Sequence, residues 1–308
     1  MPPGPVSCLI ATRTRRCPAS KVLVHLHVIS ILFGLLTAIF FASGTLASSR
    51  TAKTIGPYSS IAGIMVVGLI LTTPFVLAAG IPDALTVTSG AWLVASGAGN
   101  LIGLVLAYSA FKIGKVGVVA PILCTEGAIA ATFSALAGES IAPLVIFLLL
   151  LIVGGVVLAA IAPDPQPLAH EKPLKAALLA TAGALAFGIG LYGAGHLSGD
   201  MPIAWILLPA RLMGVVGLAI PLLVMRRFKM TRKAAPLVVL TGFTEVLGFS
   251  AYTVGAANSV AITSVLASLF APIAAVAAYL LFKEKLGRQQ IAAVAVIVTG
   301  VVALTFAN

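Results

Sequence analysis

Apolar residues fill this chain in runs of about 20, the length of α-helix that crosses a hydrocarbon core. Short clusters of charged, glycine and proline residues separate the runs. The pattern predicts ten membrane-spanning helices, at 24–47, 58–80, 90–111, 117–138, 141–162, 174–196, 203–225, 235–256, 260–282 and 288–306. The best boundaries are Arg50 and Lys53, Pro82-Asp83, Lys112 to Lys115, Gly138-Glu139, Asp164 to Lys175, Gly199-Asp200, Arg226 to Lys233 and Lys283 to Arg288. Most connections are short, which points to one bundle without a soluble domain. Residues 1–21 are polar, basic and proline-containing and are expected to form a disordered leader or to follow a misplaced start. The alternative is a signal peptide cleaved after Ala47-Ser48-Ser49, but its apolar run exceeds the usual h-region of about 7–15 residues.

A repeat organises the ten runs. At an offset of 145 residues Gly97 matches Gly242, Gly103 matches Gly248 and Glu139 matches Glu284, and Gly155-Val156-Val157 matches Gly300-Val301-Val302. The front of each half matches at offset 149, Val66-Val67-Gly68-Leu69 with Val215-Val216-Gly217-Leu218. Five spans per half is an odd number, so the second copy must enter the membrane inverted. The expected fold is an all-α polytopic membrane protein of two inverted five-helix repeats, 22–163 and 164–308. Two inverted halves enclosing a midplane cavity are the usual construction of secondary transporters.

Composition sharpens this picture. The 308 residues are 60% hydrophobic and 9% charged, with a mean hydropathy of +1.14. Soluble domains are about a quarter charged, so this chain must be solvated by lipid. Its net charge of +11 is spread over loops between apolar runs, which argues for a bilayer and against a nucleic-acid partner. Three cysteines, an odd number, argue against a disulfide framework.

Each half carries a glutamate followed sixteen residues later by Gly-Val-Val, and the second half adds Pro209-Ala210-Arg211-Leu212, Ala271-Pro272 and Lys283-Glu284-Lys285. These features resemble the EamA-type carriers of the drug/metabolite transporter superfamily, with the bacterial YddG-type amino-acid exporters as the suggested branch. The resemblance spans residues 24 to 306. It implies export or exchange of amino acids, other metabolites or drugs, with helices 1–4 and 6–9 lining the cavity and 5 and 10 outside. In the first half Glu126-Gly127 stands where the second has Ala271-Pro272, and Ala62 stands at the position of Arg211.

Ionisable groups at membrane depth are expensive, by about 2.5–3.5 kcal/mol on insertion scales, and default to functional candidates. Glu126 and Glu245 are the acids well inside expected spans. By the repeat, Glu245 is the partner of Asn100, so an amide and a carboxylate are expected to face each other across the cavity. They would bind substrate or a coupling ion; the structural alternative is hydrogen bonding that ties helices together. Arg211 could draw a substrate carboxylate, pair with a buried acid or anchor at the headgroups. Tyr108 and Tyr252, near equivalent ends of helices 3 and 8, belong either to a cavity rim or to interfacial belts. Gly99-xxx-Gly103 and Gly195-xxx-Gly199 are read as packing positions, and Lys112 and Lys115 as solvated loop charge. His25, His27, His170 and His196 have no metal-ligand spacing, so no metal or cofactor is expected, and no phosphate-binding loop or nucleophile elbow is present.

Lys and Arg counted on alternate faces come to four on the face of the leader and fourteen on the face of loops 1–2, 3–4, 5–6, 7–8 and 9–10. The positive-inside rule then puts the termini outside the cytoplasm, against the family expectation and the leader's own charges. The reading is a non-enzymatic carrier of the bacterial inner membrane, exporting or exchanging small metabolites, amino acids first among them, by alternating access. Its rivals are a carrier of drugs or lipid-linked substrates on the same scaffold and a non-transporting membrane enzyme or assembly subunit.

Overall fold

A computed structural model describes residues 18–113, 122–139, 143–161, 173–270 and 272–274, with scattered further positions at 119, 277, 288–289, 292, 295–296 and 299. The described chain is helical, with α1 (Pro18–Ile55), α2 (Pro57–Ala79), α3 (Val87–Ile113), α4 (Glu126–Leu136) and α5 (Pro143–Ile161) from the first half. The second half contributes α6 (Pro173–His196), α7 (Ile203–Val224), α8 (Ala235–Ala256) and α9 (Val260–Ala267). Among the described residues no strand forms. Among the described residues six helices are long and apolar enough to cross a membrane: His27–Ala52 within α1, α2, α3, Leu174–His196 within α6, α7 and α8. Leu77, Val224 and Leu150 are exposed on the outside of the bundle, a surface suited to lipid tails. Most of the tenth expected span, together with Glu284 and Lys115, lies outside the described residues.

Lipid offers no hydrogen bonds, so these segments satisfy their backbones internally as helices. Their hydroxyls do the same. Thr37, Thr73, Thr241 and Thr253 donate to carbonyls four residues back at 2.6–2.8 Å. The helix α1 extends beyond its expected 24–47 in both directions. It stops only at Gly56, whose φ of +86° a side chain would resist and which hands the chain to Pro57 at the start of α2. In α7 the stretch Val215–Ala219 widens into a π turn just before Pro221. Proline cannot donate to the carbonyl four residues back and crowds it, and the wider turn relieves that clash.

The fourth span departs from expectation. The reading of 117–138 as one continuous helix is interrupted by a turn at Cys124–Thr125, so that α4 begins at Glu126. A second turn, Ser268–Leu269, ends α9 at nearly the equivalent place.

Close helix pairs set the packing. The longest shared faces are α3 with α6 and α1 with α8. On α3, a Cβ at Gly99 would fall 2.5 Å from Ala186 O and 2.8 Å from Gly190 N, so only glycine lets the backbones meet. A Cβ at Gly103 would strike the Phe187 ring at 2.5–2.7 Å, and one at Gly248 would strike Phe41 at 2.6–2.7 Å. Gly99 and Gly103 are thus packing glycines, as is Gly195 against Val260, whereas Gly199 sits in a turn at φ +96°. Further pairs join α4 to α9, α2 to α7, α4 to α6 and α1 to α9.

Candidate functional site

A cavity of about 110 Å³ lies within the bundle, lined by residues of α1, α3, α4, α6 and α8 together with Leu123 and Phe270. Its walls come from the second half of α1 (Phe40 to Ser48), the second half of α3 (Asn100 to Phe111), the middle of α8 (Thr241 to Phe249) and α6 from Phe187 to Leu191. It therefore extends from mid-membrane toward the face of loops 1–2, 3–4 and 7–8. Helices α2 and α7, expected among the lining, stand behind it and contribute no wall residue.

Four of the six residues singled out in the sequence meet there: Asn100, Tyr108, Glu126 and Glu245. Asn100 is buried and its Oδ1 has no hydrogen-bond partner among the described residues. Tyr108 hydrogen-bonds the Ser48 side chain. Glu126 is 4% exposed at the first position of α4, beside the helix interruption, and no described residue hydrogen-bonds its carboxyl group. Interrupted helices at mid-membrane are where transporters build substrate and ion sites.

Glu245 is held from behind. Arg211 Nη1 donates to its Oε1 at 2.9 Å, and the two side chains are 1% and 11% exposed. Of the three roles open to Arg211, the structure shows the ion pair with a buried acid. Gly68 makes room for it, since a Cβ there would lie 2.7 Å from Arg211 Cδ. The guanidinium also lies 5.8 Å from the Phe249 ring centre and 3.6 Å from Met65 Sδ. Its Nε is left unpartnered. A pair this buried is a geometric constraint more than a source of net stability, because desolvation offsets most of its attraction.

The glycine contacts also correct the front register. Gly68 packs on Arg211 while Gly214 packs on Met65, both related by 146 residues rather than 149. In these reciprocal contacts it is Met65, not Ala62, that mirrors Arg211. The shallow match of Val66 to Leu69 with Val215 to Leu218 came from similar apolar letters, which spacing alone could not weigh.

Tyr252 stands elsewhere. It is fully buried, donates to Leu191 O at 2.7 Å and hydrogen-bonds Ser264 Oγ at 2.9 Å, on the side of the cavity away from Tyr108. In that same half of the bundle Glu139 accepts from Ser134 and, at 2.5 Å, from Ser259, the residue that caps α9 by accepting from Ile262 N–H. Trp92, Tyr192 and His196 cluster there with ring centres 5.2–5.9 Å apart. One end of the bundle is hollow and the other packed. The six phenylalanines of the cavity wall were not flagged by sequence reasoning, although Phe41 and Phe187 recur at 146 residues.

With this geometry in place, comparison with known proteins bears on the first half. Residues 28–161 match the EamA-like transporter family. The match supports the drug/metabolite transporter superfamily, a multi-pass membrane protein and a small-molecule transporter, whose members are not enzymes. A solved structure described only as "Crystal structure of protein" has a TM-score of 0.70 to this chain at 19% identity, covering 90% of this chain and 96% of its own. That likeness speaks to the fold. No curated protein matches the chain. The EamA-like segment ends with α5, so it contains Asn100, Tyr108 and Glu126 but neither Arg211 nor Glu245.

Proposed function

We propose that this chain is a secondary carrier of the bacterial inner membrane that exports or exchanges small amphipathic metabolites by alternating access between two inverted five-helix halves. Amino acids, the cargo of the YddG-type exporters, are the first class to test. The observation that carries the reading is the mid-membrane cavity, apolar-walled with Asn100, Glu126 and Glu245 among its lining, hollow toward one face and packed toward the other. Exchanging the two expected halves turns α3 on α6 into α8 on α1, and α4 on α6 into α9 on α1, and all four contacts are made. The same exchange relates Gly103 on Phe187 to Gly248 on Phe41. An inverted duplicate can adopt either assignment of hollow and packed ends, which is the physical content of alternating access.

The hollow end lies toward the face with fourteen Lys and Arg, which the positive-inside rule makes cytoplasmic. In the proposed cycle the cavity loads from the cytoplasm around Asn100, Glu126 and Glu245. The contacts around Tyr252 and Glu139 then part as the Tyr108 end closes. Counterflow in proteoliposomes, with a panel of amino acids trans to a labelled one, tests the proposal. Saturable, trans-stimulated uptake is expected, and its absence for every amino acid and amine tried would overturn the carrier reading.

A further inference from the structure

The cavity has an unbalanced charge inventory. Two carboxyl groups line it, Glu126 and Glu245, and among the described residues only Glu245 has a cationic partner, Arg211. Among the described residues of its wall none is Lys, Arg or His. The polar side chain nearest in kind to a ligand contact is Asn100, 4% exposed with an unpartnered Oδ1, an acceptor that needs an N–H. Around these acceptors stand six phenylalanine rings, Phe40, Phe41, Phe111, Phe187, Phe249 and Phe270.

From this we infer that the cavity takes arylalkyl amines, single positive charges on an apolar body, in preference to amino acids or carboxylic acids. The inference rests on the carrier reading and narrows its substrate class. An ammonium group supplies the positive charge that Glu126 lacks and the N–H that Asn100 Oδ1 lacks. Aromatic faces add attraction for the cation and cover the ligand's ring. The carboxylate of a zwitterion would meet two acids and, among the described residues of the wall, no cation, an uncompensated charge in a poorly hydrated site. The basic loops at the mouth act weakly against this preference, because water and salt screen exposed charges beyond about 8 Å.

Three ligands with one ring separate the charges: 2-phenylethylamine, phenylalanine and 3-phenylpropionate. Equilibrium binding of each, radiolabelled, to the purified full chain in lipid nanodiscs is the test. The amine should bind about tenfold or more tighter than phenylalanine, and 3-phenylpropionate should not bind measurably. Glu126→Gln should weaken the amine by about tenfold or more, and Glu126→Asp should restore part of the loss. Phenylalanine or 3-phenylpropionate binding as well as the amine, no binding by any of the three, or amine binding indifferent to a folded Glu126→Gln would each overturn the inference. If Glu126→Gln does not fold, the ranking of the three ligands on the unaltered chain decides alone. Binding needs no turnover, so amine binding without counterflow would sink the carrier reading and leave the site, and counterflow of phenylalanine without amine preference would do the reverse.

Discussion

The two halves of this bundle reach the membrane centre with the same packing and different chemistry. In the second half Arg211 on α7 holds Glu245 on α8; the equivalent positions of the first half are Met65 on α2 and Asn100 on α3. Each long side chain is admitted by a glycine of the other half, Arg211 by Gly68 and Met65 by Gly214. The backbone solution is the same on both sides, while one side has an ion pair and the other an amide whose Oδ1 has no partner among the described residues. Equivalent positions can therefore shape one cavity and present it with two different walls, one neutralised from within and one left for a ligand to satisfy.

That contrast can be broken most sharply by copying one half onto the other. Arg211→Met strips Glu245 of its partner and should cost about 3–5 kcal/mol, read as lost thermal stability and lost monodisperse yield in detergent. Adding Glu245→Asn, which makes the second half resemble the first, should recover most of that loss. A double variant no more stable than the single one would show that the pair is not an insulated unit. For the same reason Glu245→Gln, attractive from the sequence as a folded but inactive variant, should be destabilising in its own right, because it leaves Arg211 charged and buried.

Packing equivalence comes next in size. Gly103→Ala and Gly248→Ala push a methyl into Phe187 and Phe41 respectively, and each should cost about 1–3 kcal/mol in thermal unfolding. One variant tolerated and the other not would break the equivalence of the two α-helix pairs. Tyr252→Phe removes the hydroxyl bonded to Leu191 O and Ser264, for an expected loss of about 1 kcal/mol. It should also raise the labelling of a cysteine placed on the packed end, since the closed assignment there loses a tie. Unchanged labelling would detach Tyr252 from the conformational cycle. Smallest in stability is Asn100→Leu, within about 1 kcal/mol of the original because an unpartnered amide contributes little to folding. Its transport should nevertheless fall steeply, and full counterflow activity would remove Asn100 from the site.

Much of the architecture was legible in the letters. Spans 2, 6, 7 and 8 were expected at 58–80, 174–196, 203–225 and 235–256 and stand at Pro57–Ala79, Pro173–His196, Ile203–Val224 and Ala235–Ala256. Hydropathy succeeds there because lipid forces apolar backbone into helix and loop charges mark the water boundary. It failed at α1, where Arg50 and Lys53 sit within the helix, since a charge ends the buried stretch without ending the backbone hydrogen bonding. It failed again at Cys124–Thr125, because Thr125-Glu126-Gly127 is too short a polar group to lower the hydropathy of the apolar run around it. Counting 145 residues pairs Asn100 with Glu245 across a cavity, and both side chains line the cavity, from α3 and α8. The same counting misassigned Ala62, because four small apolar letters carry too little information to fix a register.

Residue chemistry and spacing alone determined that the chain needs a bilayer, that its segments are helices, and that its polar mid-membrane groups are few enough to name. Only the folded bundle decided that Arg211 turns toward Glu245 rather than toward the headgroups, that Glu126 lines the cavity with no cationic partner among the described residues, and that Tyr252 bonds Leu191 O and Ser264 while Tyr108 lines the cavity. The reason is geometric. Helical periodicity says which residues share a face, but a side chain's partner depends on how each helix is rotated and how closely a neighbour's glycine lets it approach.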